Sequence, residues 1–159
     1  MLFHWLRDYG KGRSGATDVV NQIFAMAKES SPEVFEGDST IEPQRQAKFE
    51  FMCPWAAVAL LDKDDATARK VMEELVDRLE IGLREGGVGD MKVGVHVRKY
   101  AAALHGRIRR YASLIDVQDW DTLGDALKEH GVNGGIVTSI RSRIEAGGAE
   151  KSKPKPKKA

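Results

Sequence analysis

Hydrophobic side chains recur at three- and four-residue spacing along much of the chain, which is the pattern of helices that bury one face. Two neighbouring stretches show it most clearly. The first contains Ala68, Val71, Met72, Leu75, Val76, Leu79 and Leu83. The second contains Val93, Val97, Tyr100, Ala101, Leu104, Ile108, Tyr111 and Ile115. Residues 83–90, Leu-Arg-Glu-Gly-Gly-Val-Gly-Asp, connect the two stretches, so the pattern predicts a long helix hairpin.

Further helices are predicted on both sides of this hairpin. They cover residues 16–29, about Glu42 to Leu61, Trp120 to about Gly131, and Ile136 to about Gly147. Thr17 or Asp18 is expected to cap the first, and Pro43 suits the first turn of the second because that turn leaves its N–H groups unbonded. Pro54 is expected to kink or split the second helix. Strict alternation of apolar and polar residues, the pattern of a strand, is not sustained between turn signals.

These elements predict an all-α protein, a single compact domain of about six to seven helices with a long central helix hairpin. The helical domain is expected over residues 16–146. Residues 1–15 are predicted to form an amphipathic N-terminal segment with a flexible joint at its glycine-rich end. Residues 147–159 are predicted to form a disordered tail rich in lysine and proline.

Composition agrees with a globular domain, and the lack of membrane-spanning and targeting segments indicates where in the cell the protein is expected. Of 159 residues, 42% are hydrophobic and 31% charged, as expected for a globular protein. Apolar runs fall short of the roughly eighteen residues that a membrane-spanning helix needs. The first nine residues lack the features of a secretory signal or a transit peptide. We therefore expect a protein that stays in the compartment where it is made, the cytoplasm.

Charge is distributed unevenly between the body and the tail. The tail contributes Lys151, Lys153, Lys155, Lys157 and Lys158. Residues 1–150 then hold 20 basic and 24 acidic residues, a net charge of −4. Two interpretations of the tail stay open: a solvated terminus, or an attraction to anionic lipid or to RNA phosphate.

The sequence offers no catalytic, cofactor or metal motif. Cys53 is the single cysteine and is predicted to be a buried apolar residue, which excludes a cysteine-based metal site. His96 and His105 would lie on opposite sides of one helix, and the chain has no pair of histidines four residues apart. Residues 87–89, Gly-Val-Gly, follow a predicted helix, whereas a phosphate-binding glycine loop follows a strand. These observations predict a protein that is not an enzyme and has no cofactor.

The elbow of the hairpin resembles the signature of the ubiquinol-cytochrome c chaperone family. The resemblance comprises Arg84 to Asp90, Lys92-Val93-Gly94, Gly106-Arg107 and Tyr111, with agreement in spacing over residues 83–111. The family's members hold newly made cytochrome b while ubiquinol-cytochrome c reductase, complex III, is assembled. The resemblance therefore implies a chaperone that can associate with the inner membrane of a bacterium. Its client would be cytochrome b or another membrane protein, and the need for a partner subunit stays open.

The same resemblance implies a client-binding site. Its residues are Arg84, Glu85, Gly87, Val88, Gly89, Asp90, Lys92, Gly106, Arg107 and Tyr111. The charged members, including Arg107, are expected to form a polar edge around the elbow, and Gly87, Gly89 and Gly106 to allow close approach of helices or client backbone. A competing interpretation assigns these glycines to packing and capping alone, with Asp90 capping the second helix.

Two further interpretations concern membranes and nucleic acids. Leu2, Phe3, Trp5 and Leu6 could insert shallowly into a membrane surface, or the first residues could form a short helix packed on the body. The alternative function is a nucleic-acid or ribosome-associated helical module. Its phosphate contacts would come from Arg98, Lys99, Arg107, Arg109 and Arg110. The acidic body and the apolar face of this helix argue against specific DNA binding.

Overall fold

Helices make up the regular structure of the computed structural model, which describes the backbone of residues 2–152 and the side chains of residues 15–147. They are α1 (Leu2–Ser30), α2 (Pro32–Phe35), α3 (Glu42–Leu60), α4 (Asp65–Glu85), α5 (Asp90–Asp116), α6 (Trp120–Glu129) and α7 (Ile136–Ser152). Strands are absent from this part of the chain. The predicted all-α class is confirmed.

The four longest helices of the core contact one another in a ring. α3 packs against α5, α5 against α4, α4 against α1, and α1 against α3. α6 packs on α5, α7 on α6 and α3, and the short α2 between α1 and α3. The centre of the ring is filled by fully buried side chains such as Ile23, Met52, Leu75 and Leu104. The predicted hairpin is therefore α4 and α5, and α5 packs against α3, α4 and α6.

Helix starts follow the sequence in two places where local chemistry decides them. Pro43 lies in the first turn of α3, as predicted. Asp64 caps α4, because its carboxylate accepts a hydrogen bond from the Thr67 N–H at 2.7 Å. This bond also lowers the pKa of the Asp64 carboxyl, since it favours the charged form.

Three helix predictions are corrected by the structure. α3 runs unbroken past Pro54, which is buried in the core, so the helix is not split there. α1 is continuous through the glycines of residues 10–15, where a joint is predicted, and neither Thr17 nor Asp18 caps it. α7 continues past Gly147 to Ser152. Glycine and proline weaken a helix by about 1 and 3 kcal/mol, and for the buried Pro54 packing offsets this cost.

None of the helices in the described part of the chain is both long enough and apolar enough to cross a bilayer.

Candidate functional site

The elbow between α4 and α5 is built from a hydrogen-bonded helix end. The N–H of Val88 donates to the carbonyl of Leu83 at 3.0 Å, and the N–H of Gly87 donates to the carbonyl of Arg84 at 3.1 Å. This pair of bonds is the Schellman motif, which requires a left-handed residue between its two ends. Gly87 is that residue, with φ of 89°. Its role in ending α4 is therefore explained by backbone geometry alone.

Charged side chains border the elbow. Arg84 lies between two carboxylates: its Nη1 is 2.5 Å from Oδ1 of Asp90, and its Nη2 is 3.3 Å from Oε2 of Glu80. Glu85 and Lys92 are also exposed. Asp90 does not cap α5 as predicted, because Gly89 occupies the N-cap position and Asp90, the first residue of the helix, pairs with Arg84 instead.

Several exposed apolar side chains lie on residues close to the elbow. Met91 is 91% exposed and Val95 57% exposed, one turn apart on α5, and Ile81 is exposed near the end of α4. Ile41 is also exposed, and it lies two residues after Ser39, whose carbonyl oxygen is 3.3 Å from the position that a Cβ atom on Gly86 would take. We call Ile41, Ile81, Met91 and Val95 the elbow patch. The fifth large exposed apolar residue of the described chain, Val117, lies at the opposite end of α5.

Arg107 lies in a different environment from the elbow. It follows Asp90 by seventeen residues on α5, about 25 Å along the helix axis. Its Nε and Nη2 donate to Oε1 and Oε2 of Glu50 on α3 at 2.5 and 2.7 Å, and Glu50 is 5% exposed. Gln46 donates to the same carboxylate at 2.8 Å. The predicted polar edge therefore excludes Arg107, whose two-pronged ion pair joins α3 to α5.

Tyr111 and Cys53 are buried beside this ion pair. Burial raises the pKa of the Tyr111 hydroxyl and the pKa of the Cys53 thiol, because a charged form would lose its hydration. The charge of Glu50 acts in the same direction on both groups, and that of Arg107 opposes it. Tyr111 is fully buried, so it contributes to the core rather than to the surface. Cys53 is buried as predicted.

The remaining predicted glycines do not mark close contacts inside the described chain. A Cβ atom added to Gly89 or to Gly106 would meet no described atom within 4 Å. Gly106 is exposed on α5. The structure therefore brings residues 84–92 together at the elbow and places Gly106, Arg107 and Tyr111 elsewhere. The side chains of Leu2, Phe3, Trp5 and Leu6 lie outside the described residues.

The basic face of α5 is partly neutralised. Arg107 pairs with Glu50, and Arg110 pairs with Glu129 of α6 through two hydrogen bonds of 3.0 and 3.1 Å. The latter pair lowers the pKa of Glu129. Arg98, Lys99 and Arg109 are exposed. Among residues 15–147, no group of three or more histidine, cysteine or acidic side chains is arranged to hold a metal ion.

Reasoning from the sequence missed the elbow patch and the partner of Arg107. Met91, Val95 and Ile81 fall outside the apolar arcs of their helices, and this displacement was the available signal that they are exposed. Glu50 precedes Arg107 by 57 residues, a separation at which sequence spacing carries no information about contact.

Comparison of the chain with family models, with curated proteins and with solved structures finds no match. The resemblance to the ubiquinol-cytochrome c chaperone family therefore depends on the residues of the elbow signature alone.

Proposed function

We propose that this protein is a non-enzymatic assembly chaperone that binds an apolar helix of a newly made membrane protein. The observation that carries the proposal is the elbow patch, four large apolar side chains that are exposed close to the elbow and its Arg84–Asp90 ion pair. The elbow signature points to cytochrome b as the client and to complex III as the product of assembly.

The chemistry of the patch suits a transmembrane helix as its ligand. Such a helix is apolar on all sides and satisfies its own backbone hydrogen bonds, so it needs apolar contacts rather than polar partners. Burying a side chain of the size of Met91 or Ile81 contributes about 1.5–3 kcal/mol. Methionine also adapts its shape to irregular partners, which is useful for a chaperone. Helix-in-groove recognition uses apolar anchors of this kind.

The ion pairs of Arg84 with Asp90 and with Glu80 place charged side chains next to the apolar residues of the patch. Exposed ion pairs contribute between 0 and about 1 kcal/mol to stability, so they can rearrange when a client binds. We expect the client to be met at the inner membrane, where an N-terminal membrane contact would help. The nucleic-acid alternative loses two of its five predicted phosphate contacts, because Arg107 and Arg110 are paired with carboxylates.

The proposal is tested by charging the elbow patch. Met91→Glu combined with Val95→Glu places two carboxylates where the client helix would pack, and the exposure of both residues predicts an unchanged fold. The variants replace the parent protein in its host, and the level of complex III on native gels is measured together with cytochrome b that co-purifies. We expect both to fall at least fivefold.

Val117→Glu is the matched control, because Val117 is 69% exposed and lies at the other end of α5 from the elbow. It should leave complex III and cytochrome b at the level of the parent. Circular dichroism of each purified variant checks the fold. Normal complex III in a host that lacks the protein, or equal effects of the elbow and control variants, would reject the proposal.

A further inference from the structure

A cavity of about 190 Å³ lies between α1, α3, α4 and α5, on the inner side of the last turns of α4. Its walls are mainly apolar. They are formed by Phe24, Phe49, Met52, Leu79, Leu83 and Tyr100. The rings of Phe49 and Tyr100 pack with their centroids 4.9 Å apart. The cavity is thus a mainly apolar space lined by four core helices, and it shares no residue with the elbow patch.

Three cations line the same cavity: Arg45, Lys48 and Arg78. Arg78 is compensated, since its Nη2 lies 3.0 Å from Oε2 of Glu74. Arg45 and Lys48 instead donate to uncharged oxygens. Arg45 Nη1 bonds the carbonyl of Ser39 at 2.9 Å, and Lys48 Nζ bonds the carbonyl of Gly37 at 2.6 Å and the Ser39 hydroxyl.

The guanidinium of Arg45 has unused hydrogen-bonding capacity. Its Nε is buried and has no hydrogen-bond partner among the described residues. Carboxylates are absent from the described lining of the cavity. Asp38 interacts electrostatically with Lys48, but its carboxylate is exposed and already accepts a hydrogen bond from Thr40. A buried, unbonded N–H of a cation is costly, and an anionic acceptor removes that cost.

We propose that this cavity binds a straight-chain monocarboxylate of about six to eight carbons. The carboxylate would accept hydrogen bonds from Arg45 and lie near Lys48, and the chain would pack among Phe49, Met52 and Leu79. The length follows from the volume, because a cavity of about 150 Å³ accommodates the six carbons of benzene. A carboxylate head matches the planar donors of a guanidinium. This site goes beyond the proposed chaperone function and does not depend on it.

Octanoate, octanol and butyrate are the probes for isothermal titration calorimetry on the full chain. Octanoate has both the head and the chain, octanol lacks the charge, and butyrate lacks most of the chain. We expect octanoate to bind at a ratio of one to one and at least tenfold more tightly than either of the other two.

Two variants separate the contributions of the carboxylate head and of the hydrocarbon chain to octanoate binding. Arg45→Gln removes the charge, so octanoate should bind at least tenfold more weakly while octanol is unaffected. Gly82→Leu fills the cavity, because Gly82 lines it and has no described neighbour within 4 Å of an added Cβ. Leucine is also the better helix former, so this variant should remain folded and lose octanoate binding.

Gly15→Leu is the matched control, since Gly15 lies on α1, outside the cavity lining, and also has open space at its Cβ. It should bind octanoate like the parent. The proposal is overturned if octanoate binds no more tightly than octanol, or if Gly82→Leu binds octanoate as well as Gly15→Leu does.

Discussion

Each half of α5 takes part in an ion pair between an arginine and a carboxylate, but the two pairs have opposite surroundings. At the elbow, Arg84 meets Asp90 in solvent, and both side chains are about half exposed or more. In the second half, Arg107 meets Glu50 with the carboxylate almost completely buried. The surroundings of an ion pair, rather than its presence, therefore decide what it contributes to stability.

The exposed pair leaves the elbow adaptable. Water already solvates both charges, so little free energy is lost when the pair opens. The buried pair fixes its surroundings, because either charge left alone would be desolvated without compensation. The elbow therefore has the properties of a surface that can accept a ligand. The Arg107 half has the properties of a structural joint between α3 and α5.

The largest predicted effect comes from removing one charge of the buried pair. Arg107→Met should lower the free energy of unfolding by about 3–5 kcal/mol, because Glu50 is then a buried charge without its partner. Arg84→Met should lower it by less than about 1 kcal/mol. Urea unfolding followed by circular dichroism measures both values.

A double variant tests the cause of this difference. Glu50→Met combined with Arg107→Met removes both charges and should recover most of the stability lost in Arg107→Met, since two apolar side chains can replace a buried ion pair. Equal losses in Arg84→Met and Arg107→Met would contradict the distinction between the two halves.

The contrast between the two halves also explains which features could be predicted from the sequence. The helices α4 and α5 and the end of α4 follow from spacing and from Gly87, which are local signals. The separation of Arg107 from Arg84 could not be predicted, because it depends on Glu50 from a distant helix. The continuity of α3 through Pro54 likewise depends on packing that local propensity does not contain.

The cavity was beyond prediction for the same reason. Phe24, Arg45, Leu79 and Tyr100 come from four different helices, and no spacing in the sequence relates them. The elbow patch was easier to predict from the sequence than the cavity. An apolar residue outside the apolar face of its own helix is either exposed or bound to another molecule.

Alkaline pH should lower the stability of the protein through Tyr111, which lies in the Arg107 half of α5. The expected loss of free energy is smaller than that of Arg107→Met. Burial raises the pKa of Tyr111 in the folded protein, whereas in the unfolded chain it titrates near 10. Above pH 10 the unfolded state releases this proton and the folded state keeps it, so stability falls as pH rises. Between pH 9 and 11 the parent should lose about 1.4 kcal/mol more than Tyr111→Phe does. Urea unfolding at each pH measures the difference, and parallel losses in the two proteins would mean that Tyr111 is open to solvent.

The smallest predicted effect compares the turns at the two ends of α5. The turn after α5 repeats the bonding of the elbow, with Asp119 N–H donating to Leu114 at 2.9 Å and Gln118 N–H donating to Ile115 at 3.0 Å. Here the left-handed residue is Gln118, with φ of 58°, where the elbow has glycine. A side chain in this conformation costs about 1 kcal/mol.

Gln118→Gly should therefore raise the free energy of unfolding by up to about 1 kcal/mol, partly offset by the greater freedom of glycine in the unfolded chain. Gly87→Ala should lower it by about 1 kcal/mol, because alanine meets the same strain that glycine avoids. Thermal unfolding of both variants measures the two shifts, which should be opposite in sign. Equal destabilisation of both variants would contradict this prediction. The turns at the two ends of α5 would then share their hydrogen bonds but not the strain at the left-handed residue.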